Sequence, residues 1–180
     1  MTTPVDAAID RWVRDIPDWP KAGVVFKDIT PLLADPEGLA TIVTGLADLG
    51  RRLAPDGVDV VVGIEARGFI LAAPVALALG AGFVPVRKEG KLPADTHEVS
   101  YELEYGKATL QVHRDAFAPG DRVLVVDDVL ATGGTVEATA ELISRCGVQV
   151  AGVAVLLELG FLDGRVKVPG LNVGSLRLVD

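Results

Sequence analysis

The pattern of apolar and polar positions changes its period along the chain, and the changes predict a succession of helices and strands. Near the start, apolar residues recur at helical spacing at Val5, Ala8, Ile9, Trp12, Val13 and Ile16. Thr3 can cap this helix, with Pro4 at its first position. Asp35 and Pro36 open a second amphipathic helix, with inward positions at Leu39, Ile42, Val43, Leu46, Leu49 and Leu53.

Short, continuous apolar runs predict strands that are buried on both faces of a parallel sheet. They are Val58 to Ile64, Phe83 to Val86, Val123 to Val126 and Val150 to Leu157. A buried helix is predicted between the first two runs and another helix from Val136 to Cys146. Strands that alternate with helices in this way indicate an α/β fold.

One stretch has the length and character of a membrane-spanning segment. No residue is charged from Gly68 to Val86. Pro74, Gly80 and Gly82 interrupt this stretch, and apolar strands flank it. It is therefore interpreted as a buried helix followed by a strand.

Length and composition limit the classes of protein to which the chain can belong. With 180 residues, 49% of them hydrophobic, it fits one domain with a sizeable core. The net charge of −8 argues against nucleic acid as the main partner. The single cysteine, Cys146, excludes an intrachain disulfide, fits a reducing cytosol and lies on an apolar helix face that indicates packing. No signal peptide is indicated between Met1 and Asp10.

The segment from Arg122 to Thr135, R-V-L-V-V-D-D-V-L-A-T-G-G-T, combines a buried strand, two acids and a glycine-bearing loop. Asp127 and Asp128 come where the apolar run ends, and ligands gather at the carboxyl ends of parallel strands. The loop then offers backbone N–H groups and two hydroxyls just before a helix. This order predicts a phosphate-binding site.

Two acids after an apolar strand also occur in Walker-B-like and receiver-domain sequences. No G-x-x-x-x-G-K-[ST] motif is present, so a P-loop NTPase would lack its phosphate-binding lysine. A receiver domain would carry its acids near the start of the fold, whereas these lie past two thirds of the chain. The whole segment instead resembles the phosphoribosyl pyrophosphate (PRPP) motif of type I phosphoribosyltransferases.

The resemblance assigns the parts of PRPP to two loops. The 5′-phosphate is expected at the phosphate loop, which is Ala131, Thr132, Gly133, Gly134 and Thr135. Asp127 and Asp128 would accept hydrogen bonds from the ribose hydroxyls and stabilise a cationic ribosyl transition state. A second loop, Gly63 to Phe69, would bind pyrophosphate through Glu65, Ala66 and Arg67, with a cis peptide at Glu65–Ala66.

A polar insert, residues 87–113, interrupts the alternation of strands and helices. Val99 to Glu104 and Lys107 to His113 predict a hairpin, preceded by the cations Arg87, Lys88 and Lys91. An ordinary solvated loop is one interpretation. Beside a PRPP motif, the insert is better interpreted as a flexible lid that brings cations to pyrophosphate and excludes water. His97 and His113 are too isolated in sequence to indicate a zinc site.

Three further phrases resemble the adenine-using members of the type I family: Asp18 to Leu33, Ser100 to Gly106 and Leu157 to Arg165. The resemblance implies that Phe26 stacks on adenine, that main-chain groups of Val25 and Lys27 bind its edge, and that Leu159 closes the other face. It places Glu104 and Tyr105 at the reacting centre. Arg87, Lys88 and Lys91 would bind pyrophosphate, and the resemblance also allows Arg87 to come from a partner subunit.

The implied protein is a cytoplasmic homodimer with a twisted parallel sheet flanked by helices. Its single domain, residues 1–180, would have an N-terminal hood (about residues 1–35) and the lid. It would transfer phosphoribosyl from PRPP to adenine, giving AMP and pyrophosphate in purine salvage. Mg²⁺ is expected mainly on the substrate, so no protein ligand is assigned to it.

Two alternatives to this function stay open, and neither involves a membrane. The base could be another one, such as xanthine or orotate, because the PRPP motif is shared while the hood and the Leu159 region differ. A non-catalytic regulator on the same fold would also retain the motif. It would need a basic surface or an added DNA-binding domain, which the charge and length disfavour.

Overall fold

A computed structural model describes residues 2–102 and 107–180 of the chain. The chain divides into two compact units, Met1–Gly45 and Leu46–Asp180. The α-helices of the described residues are α1 Pro4–Trp12, α2 Thr30–Ala34, α3 Pro36–Leu53, α4 Arg67–Leu79 and α5 Gly134–Arg145. The helix α3 runs across the boundary between the two units, so its second half belongs to the larger one.

The smaller unit begins with the predicted first helix, but that helix is shorter than its apolar stripe indicated. Thr3 caps it, because Asp6 N donates to Thr3 Oγ1 at 3.1 Å and Thr3 N donates to Asp6 Oδ2 at 3.2 Å. The helix ends at Trp12, and Ile16 lies instead in a strand, β1 Arg14–Pro17. This strand pairs antiparallel with β2 Val25–Asp28. The predicted extension of the helical stripe to Ile16 is therefore wrong.

The larger unit is an α/β structure built on one sheet, as predicted. Within the described part of this unit, the strands are β3 Val60–Ile64, β4 Gly82–Lys88, β5 Thr96–Glu102, β6 Lys107–His113, β7 Arg122–Leu130, β8 Gln149–Leu159 and β9 Val173–Val179. Their order in the sheet is β5-β6-β4-β3-β7-β8-β9. Neighbouring strands from β4 to β9 are parallel, whereas β5 and β6 form an antiparallel hairpin at one edge.

Helices pack on both faces of this sheet. On one face, Leu142 and Ile143 of α5 belong to the buried cluster that contains Val125 and Val153. On the other face, α3 approaches so closely that a Cβ added to Gly152 would lie 2.8 Å from the side chain of Leu53. The uncharged stretch forms α4 and then β4, as predicted. Within residues 2–102 and 107–180, no helix is long and apolar enough to cross a membrane.

The central strand β7 extends four residues beyond the predicted end at Val126. Its pairing with β3 stops at Val126, which lies opposite Gly63, while its pairing with β8 continues to Leu130 opposite Glu158. The two acids that follow Val126 therefore lie in a strand that is hydrogen-bonded on one side only.

Candidate active site

The predicted phosphate loop lies between β7 and α5 and is formed by closely packed backbone. The helix α5 begins at Gly134, two residues before the predicted start, so its first N–H groups belong to the loop itself. Gly133 has φ 85°, and a Cβ there would lie 2.2 Å from the carbonyl oxygen of Gly164. Only glycine fits this position, both for its backbone conformation and for the space available.

The two acids of the motif are buried beside each other. Asp127 is 9% exposed and Asp128 is 5% exposed. The backbone N–H of Asp128 donates to Asp127 Oδ1 at 2.9 Å. Burial raises the pKa of Asp127 well above its usual value, and the neighbouring charge of Asp128 raises it further. This arrangement is electrostatically unfavourable in the free protein, and it favours any ligand that brings positive charge or hydroxyl donors.

Arg67 of the predicted pyrophosphate loop reaches one of these acids. Its Nε lies 2.8 Å from Asp128 Oδ2. The contact is an ion pair rather than a directed hydrogen bond, because no donor among the described residues meets Asp128 Oδ2 with hydrogen-bond geometry. Gly68 brings the same loop against the other acid, since a Cβ there would lie 2.7 Å from Asp127 Oδ1. The pyrophosphate loop therefore lies against both acids.

Glu65 connects the pyrophosphate loop to the start of the lid. The Glu65–Ala66 peptide bond is cis, as the resemblance implied. Glu65 Oε2 accepts from Lys88 N at 3.0 Å and from Arg87 Nε at 3.3 Å. Burial acts to raise the pKa of Glu65, but the Lys88 N–H and the charges of Arg87 and Lys91 outweigh it and hold that pKa below its usual value.

A cavity of about 630 Å³ opens over these groups. It brings together predicted site residues from both loops and the lid, namely Glu65, Ala66, Arg67, Lys88, Asp127, Asp128 and Thr135. Among the described residues, its lining includes neither Arg87 nor Lys91 nor the first four residues of the phosphate loop. Arg87 contacts Glu65 of the same chain and donates from Nη1 to the Lys91 carbonyl oxygen at 3.2 Å.

The lid hairpin contributes residues to this cavity that sequence reasoning missed. The Tyr101 hydroxyl lies 3.2 Å from Thr135 Oγ1, and its ring would lie 3.4 Å from a Cβ added to Gly134. Lys107, Ala108, Thr109 and Leu110 also line the cavity. The alternation of β5, which places Tyr101 and Val99 on one face, was the available signal. Glu104 and Tyr105, the predicted catalytic lid residues, lie outside the described residues.

The start of the lid is held by hydrogen bonds to its own hairpin. Glu89 N donates to the Thr109 carbonyl oxygen at 3.1 Å, and Gly90 N donates to Gln111 Oε1 at 3.0 Å. The basic stretch at the start of the lid, which the sequence predicts to be flexible, is therefore held by hydrogen bonds at these two residues.

The predicted base-binding residues of the smaller unit lie on the strand β2. The Phe26 ring packs edge-on against Trp19, with 4.5 Å between the ring centroids. Lys27 Nζ pairs with Asp15 Oδ1 at 2.7 Å, which leaves its main chain as the part assigned to the base. Val25 is exposed. Trp19 is half exposed. It was given no role from the sequence, although it lies in the phrase from Asp18 to Leu33.

Leu159, the fourth predicted base-binding residue, belongs to the larger unit. It is the last residue of β8, where it lies opposite Val179 of β9. Two 3₁₀ turns follow it, Gly160–Leu162 and Gly164–Lys167. The second of these turns contacts the phosphate loop through Gly164. The end of β8 thus leads directly from the predicted base wall to the predicted phosphate site.

Comparisons with known proteins identify one family. Residues 32–166 match the family described as phosphoribosyl transferase domain. The chain is 59% identical to adenine phosphoribosyltransferase of Thermobifida fusca, over 99% of this chain and 100% of that protein. The crystal structure of adenine phosphoribosyltransferase from Thermoanaerobacter pseudethanolicus is 47% identical, with TM-score 0.89 and coverage of 96% and 99% of the two chains.

A second similar structure carries ligands. Adenine phosphoribosyltransferase from Saccharomyces cerevisiae was solved in complex with D-2,5-dideoxy-2,5-imino-altritol 1,6-bisphosphate and adenine. It is 33% identical to this chain, with TM-score 0.91, and the match covers 96% of this chain and 98% of that one.

Proposed function

This chain belongs to the adenine phosphoribosyltransferases of the phosphoribosyltransferase family, and from that premise we propose that it transfers 5-phosphoribosyl from PRPP to adenine. The products are AMP and pyrophosphate, which places the reaction in purine salvage. The observation that carries this proposal is the buried acid pair, which precedes the predicted phosphate loop in the chain and contacts a second loop that bears an arginine.

The acid pair acts on the ribose in this proposal. Asp127 and Asp128 accept hydrogen bonds from its two hydroxyls, while the N–H groups at the start of α5 bind the 5′-phosphate. As the bond to pyrophosphate lengthens, positive charge develops on the ribosyl ring. Since burial and mutual repulsion already disfavour two negative charges here, that developing charge is stabilised more strongly than it would be in water.

The leaving group is assigned to the second loop. Arg67 exchanges part of its contact with Asp128 for pyrophosphate oxygens, and Lys88 adds charge from the lid. Arg87 and Lys91 are assigned to the same pyrophosphate site. Glu65 holds Arg87 through an ion pair, and Arg87 in turn donates to the Lys91 carbonyl oxygen. Glu104 and Tyr105 are assigned to the reacting centre by family resemblance, with the lid excluding water when it closes.

Mg²⁺ fits the carboxylate and phosphate oxygens of the proposed complex, because hard cations prefer such ligands. Asp127 and Asp128 are the buried carboxylates that face the cavity, and PRPP supplies the remaining oxygens. The cation would neutralise charge on the pyrophosphate leaving group.

Adenine is assigned to β2 and Leu159. Phe26 stacks on the base, main-chain groups of Val25 and Lys27 bind its amino edge, and Leu159 packs on the opposite face. The Saccharomyces cerevisiae relative binds adenine together with a bisphosphate, which supports a joint site for the two substrates. Residues 1–35 are assigned as the hood over this site.

A cytoplasmic homodimer is part of the same proposal. Ile70 and Leu77 lie seven residues apart on α4, and the two residues are 48% and 82% exposed. An apolar helix face of this kind is suited to contact with a second copy of the chain. The single cysteine fits a reducing compartment.

A base-competition assay tests the proposed function. The purified chain is supplied with PRPP, Mg²⁺ and an equimolar mixture of adenine, hypoxanthine, guanine, xanthine and orotate, and nucleotide products are separated by chromatography. We expect AMP with an equal amount of pyrophosphate. Hypoxanthine should react poorly, because its oxo group would face the carbonyl that accepts from the adenine amino group. A different dominant nucleotide would indicate another base, and no nucleotide would favour a non-catalytic regulator.

A further inference from the structure

A buried glutamate and an arginine form a closed polar cluster at the end of β8, outside the cavity. Arg165 Nε and Nη2 donate to the two carboxylate oxygens of Glu158 at 2.5 and 2.7 Å. Ser175 Oγ donates to Glu158 Oε2 at 2.8 Å, and Arg165 Nη1 donates to the Val173 carbonyl oxygen at 2.7 Å. The hydrogen bond from Arg165 lowers the pKa of Glu158 against the opposing effect of burial. The fork of Arg165 therefore connects β8, β9 and the second 3₁₀ turn.

This cluster lies directly behind the phosphate loop. Glu158 is the sheet partner of Leu130, the residue that precedes the loop. Gly164, the neighbour of Arg165 in the second 3₁₀ turn, is buried against the loop backbone. A Cβ on Gly164 would lie 2.2 Å from the Ala131 carbonyl oxygen, and a Cβ on Gly133 would lie 2.2 Å from the Gly164 carbonyl oxygen. The two backbones are thus in contact with no side chain between them.

We propose that Arg165 is a positioning residue for the 5′-phosphate site: by fixing the second 3₁₀ turn to Glu158 and Val173, it holds Gly164 as the backing of the phosphate loop. This inference rests on the proposed function, in which that loop binds the 5′-phosphate of PRPP. Arg165 itself lines no part of the cavity among the described residues, so it acts through the loop and not on the substrate.

Loss of the Arg165 contacts should weaken the binding of only the 5′-phosphate end of PRPP. The phosphate loop binds through backbone N–H groups, whose directions depend on the conformation of the loop, and small displacements weaken such binding. The pyrophosphate loop is held separately, through Glu65 to the Lys88 N–H and through Gly68 to Asp127. Release of the second 3₁₀ turn should therefore weaken phosphate binding and leave pyrophosphate binding nearly unchanged.

The test compares two ligands by titration calorimetry on Arg165→Met, which removes the fork and keeps most of the side-chain length. We expect ribose 5-phosphate affinity to fall at least tenfold and Mg²⁺-pyrophosphate affinity to stay within twofold of wild type. In kinetics, KM for PRPP should rise about tenfold while kcat changes less than threefold.

Arg51→Met is the matched control. Arg51 has a similarly exposed side chain, 54% against 51%, and also contacts a carboxylate and a carbonyl oxygen, those of Asp48 and Ala78. Both affinities should stay at the wild-type value in this variant, because none of these contacts involves the phosphate loop.

Two further variants keep the proposal testable if Arg165→Met does not fold. Arg165→Lys should give an intermediate loss of ribose 5-phosphate affinity, about threefold. Gly164→Ala should give the same selective loss as Arg165→Met, whereas Gly82→Ala, where a Cβ meets only ordinary contacts of 3.7 and 3.9 Å, should be neutral.

Several outcomes would overturn the inference. Wild-type ribose 5-phosphate affinity in Arg165→Met or Gly164→Ala would show that the loop needs no such backing. Equal losses for both ligands would show a general structural role instead. A wild-type protein that binds no ribose 5-phosphate and forms no AMP from PRPP and adenine would refute the proposed function itself, which is a different failure.

Discussion

The two ends of β7 place carboxylates in opposite environments. At its start, Arg122 donates from Nε and Nη2 to the two oxygens of Asp59, at 2.7 and 2.8 Å, and its N–H adds a third bond at 2.9 Å. At the other end, Asp127 and Asp128 are buried side by side, and Arg67 is the arginine that reaches them. Both carboxylate oxygens of Asp59 accept hydrogen bonds, whereas Asp128 Oδ2 accepts none from the described residues.

The pKa values of the acids at the two ends shift in opposite directions. Hydrogen bonds from Arg122 lower the pKa of Asp59, whereas burial raises that of Asp127. A carboxylate at the amino end thus helps to hold the sheet together, whereas at the carboxyl end no donor within residues 2–102 and 107–180 hydrogen-bonds to Asp128 Oδ2. Incomplete pairing of buried acids at a strand's carboxyl end therefore distinguishes a ligand site from a structural ion pair.

The largest effect expected is on turnover at the carboxyl end. Asp128→Asn should fold and lose turnover at least about tenfold, because about 1.4 kcal/mol of transition-state stabilisation is lost. Steady-state rates at saturating adenine and PRPP measure this loss. Asp59→Asn is the control, with turnover expected within twofold of wild type. Near-normal turnover in Asp128→Asn would remove the distinction between the two ends.

A smaller effect is expected where the lid meets the phosphate loop. Tyr101→Phe removes the hydroxyl that contacts Thr135, and we expect KM for PRPP to rise about threefold, the size of one modest hydrogen bond. Ser100→Ala is the matched variant, because the Ser100 hydroxyl bonds only across the hairpin to Thr109 among the interactions described. Equal KM values in the two variants would show that the lid contact is not used in binding.

The smallest effect concerns acid stability at the amino end. A carboxylate with a lowered pKa stabilises the fold above its unfolded pKa, and that contribution disappears as the pH falls. Wild type should therefore melt at a higher temperature than Asp59→Asn at pH 6, and the difference should shrink below about pH 4. Thermal unfolding followed by circular dichroism measures it. A difference that grows as the pH falls would contradict the assigned pairing.

The sequence was sufficient to predict the parallel sheet and its two loops, because continuous apolar runs and glycine-bearing loops are local signals. The strand through Val123 and the helix that starts at Pro36 were both predicted in this way. The strand ends were less accurate. Whether β7 stops at Val126 depends on its neighbours, and its two neighbours stop pairing at different residues.

The contacts made across the site could not be predicted, since they join residues that are far apart in sequence. Arg67 was assigned to pyrophosphate from its place in a loop, but its contact with Asp128 depends on how two strands are paired. Tyr101 looked like an ordinary hairpin residue, and its contact with Thr135 depends on the packing of β5 against α5. The pairing of β1 with β2 was not predicted, because Ile16 of β1 is an apolar residue at helical spacing from the first helix.

The most direct test of the contrast between the two ends of β7 is thermal unfolding of Asp127→Asn against wild type from pH 4 to pH 8. A buried acid whose folded pKa is raised loses stability as the pH rises above its unfolded pKa, and asparagine does not. The variant should therefore melt at least about 2 °C above wild type near pH 8, which corresponds to about 1 kcal/mol, with the gain vanishing near pH 4. The same preparation should have lost most of its turnover. A variant that melts below wild type at pH 8 would show that Asp127 stabilises the fold as Asp59 does, and would contradict the account.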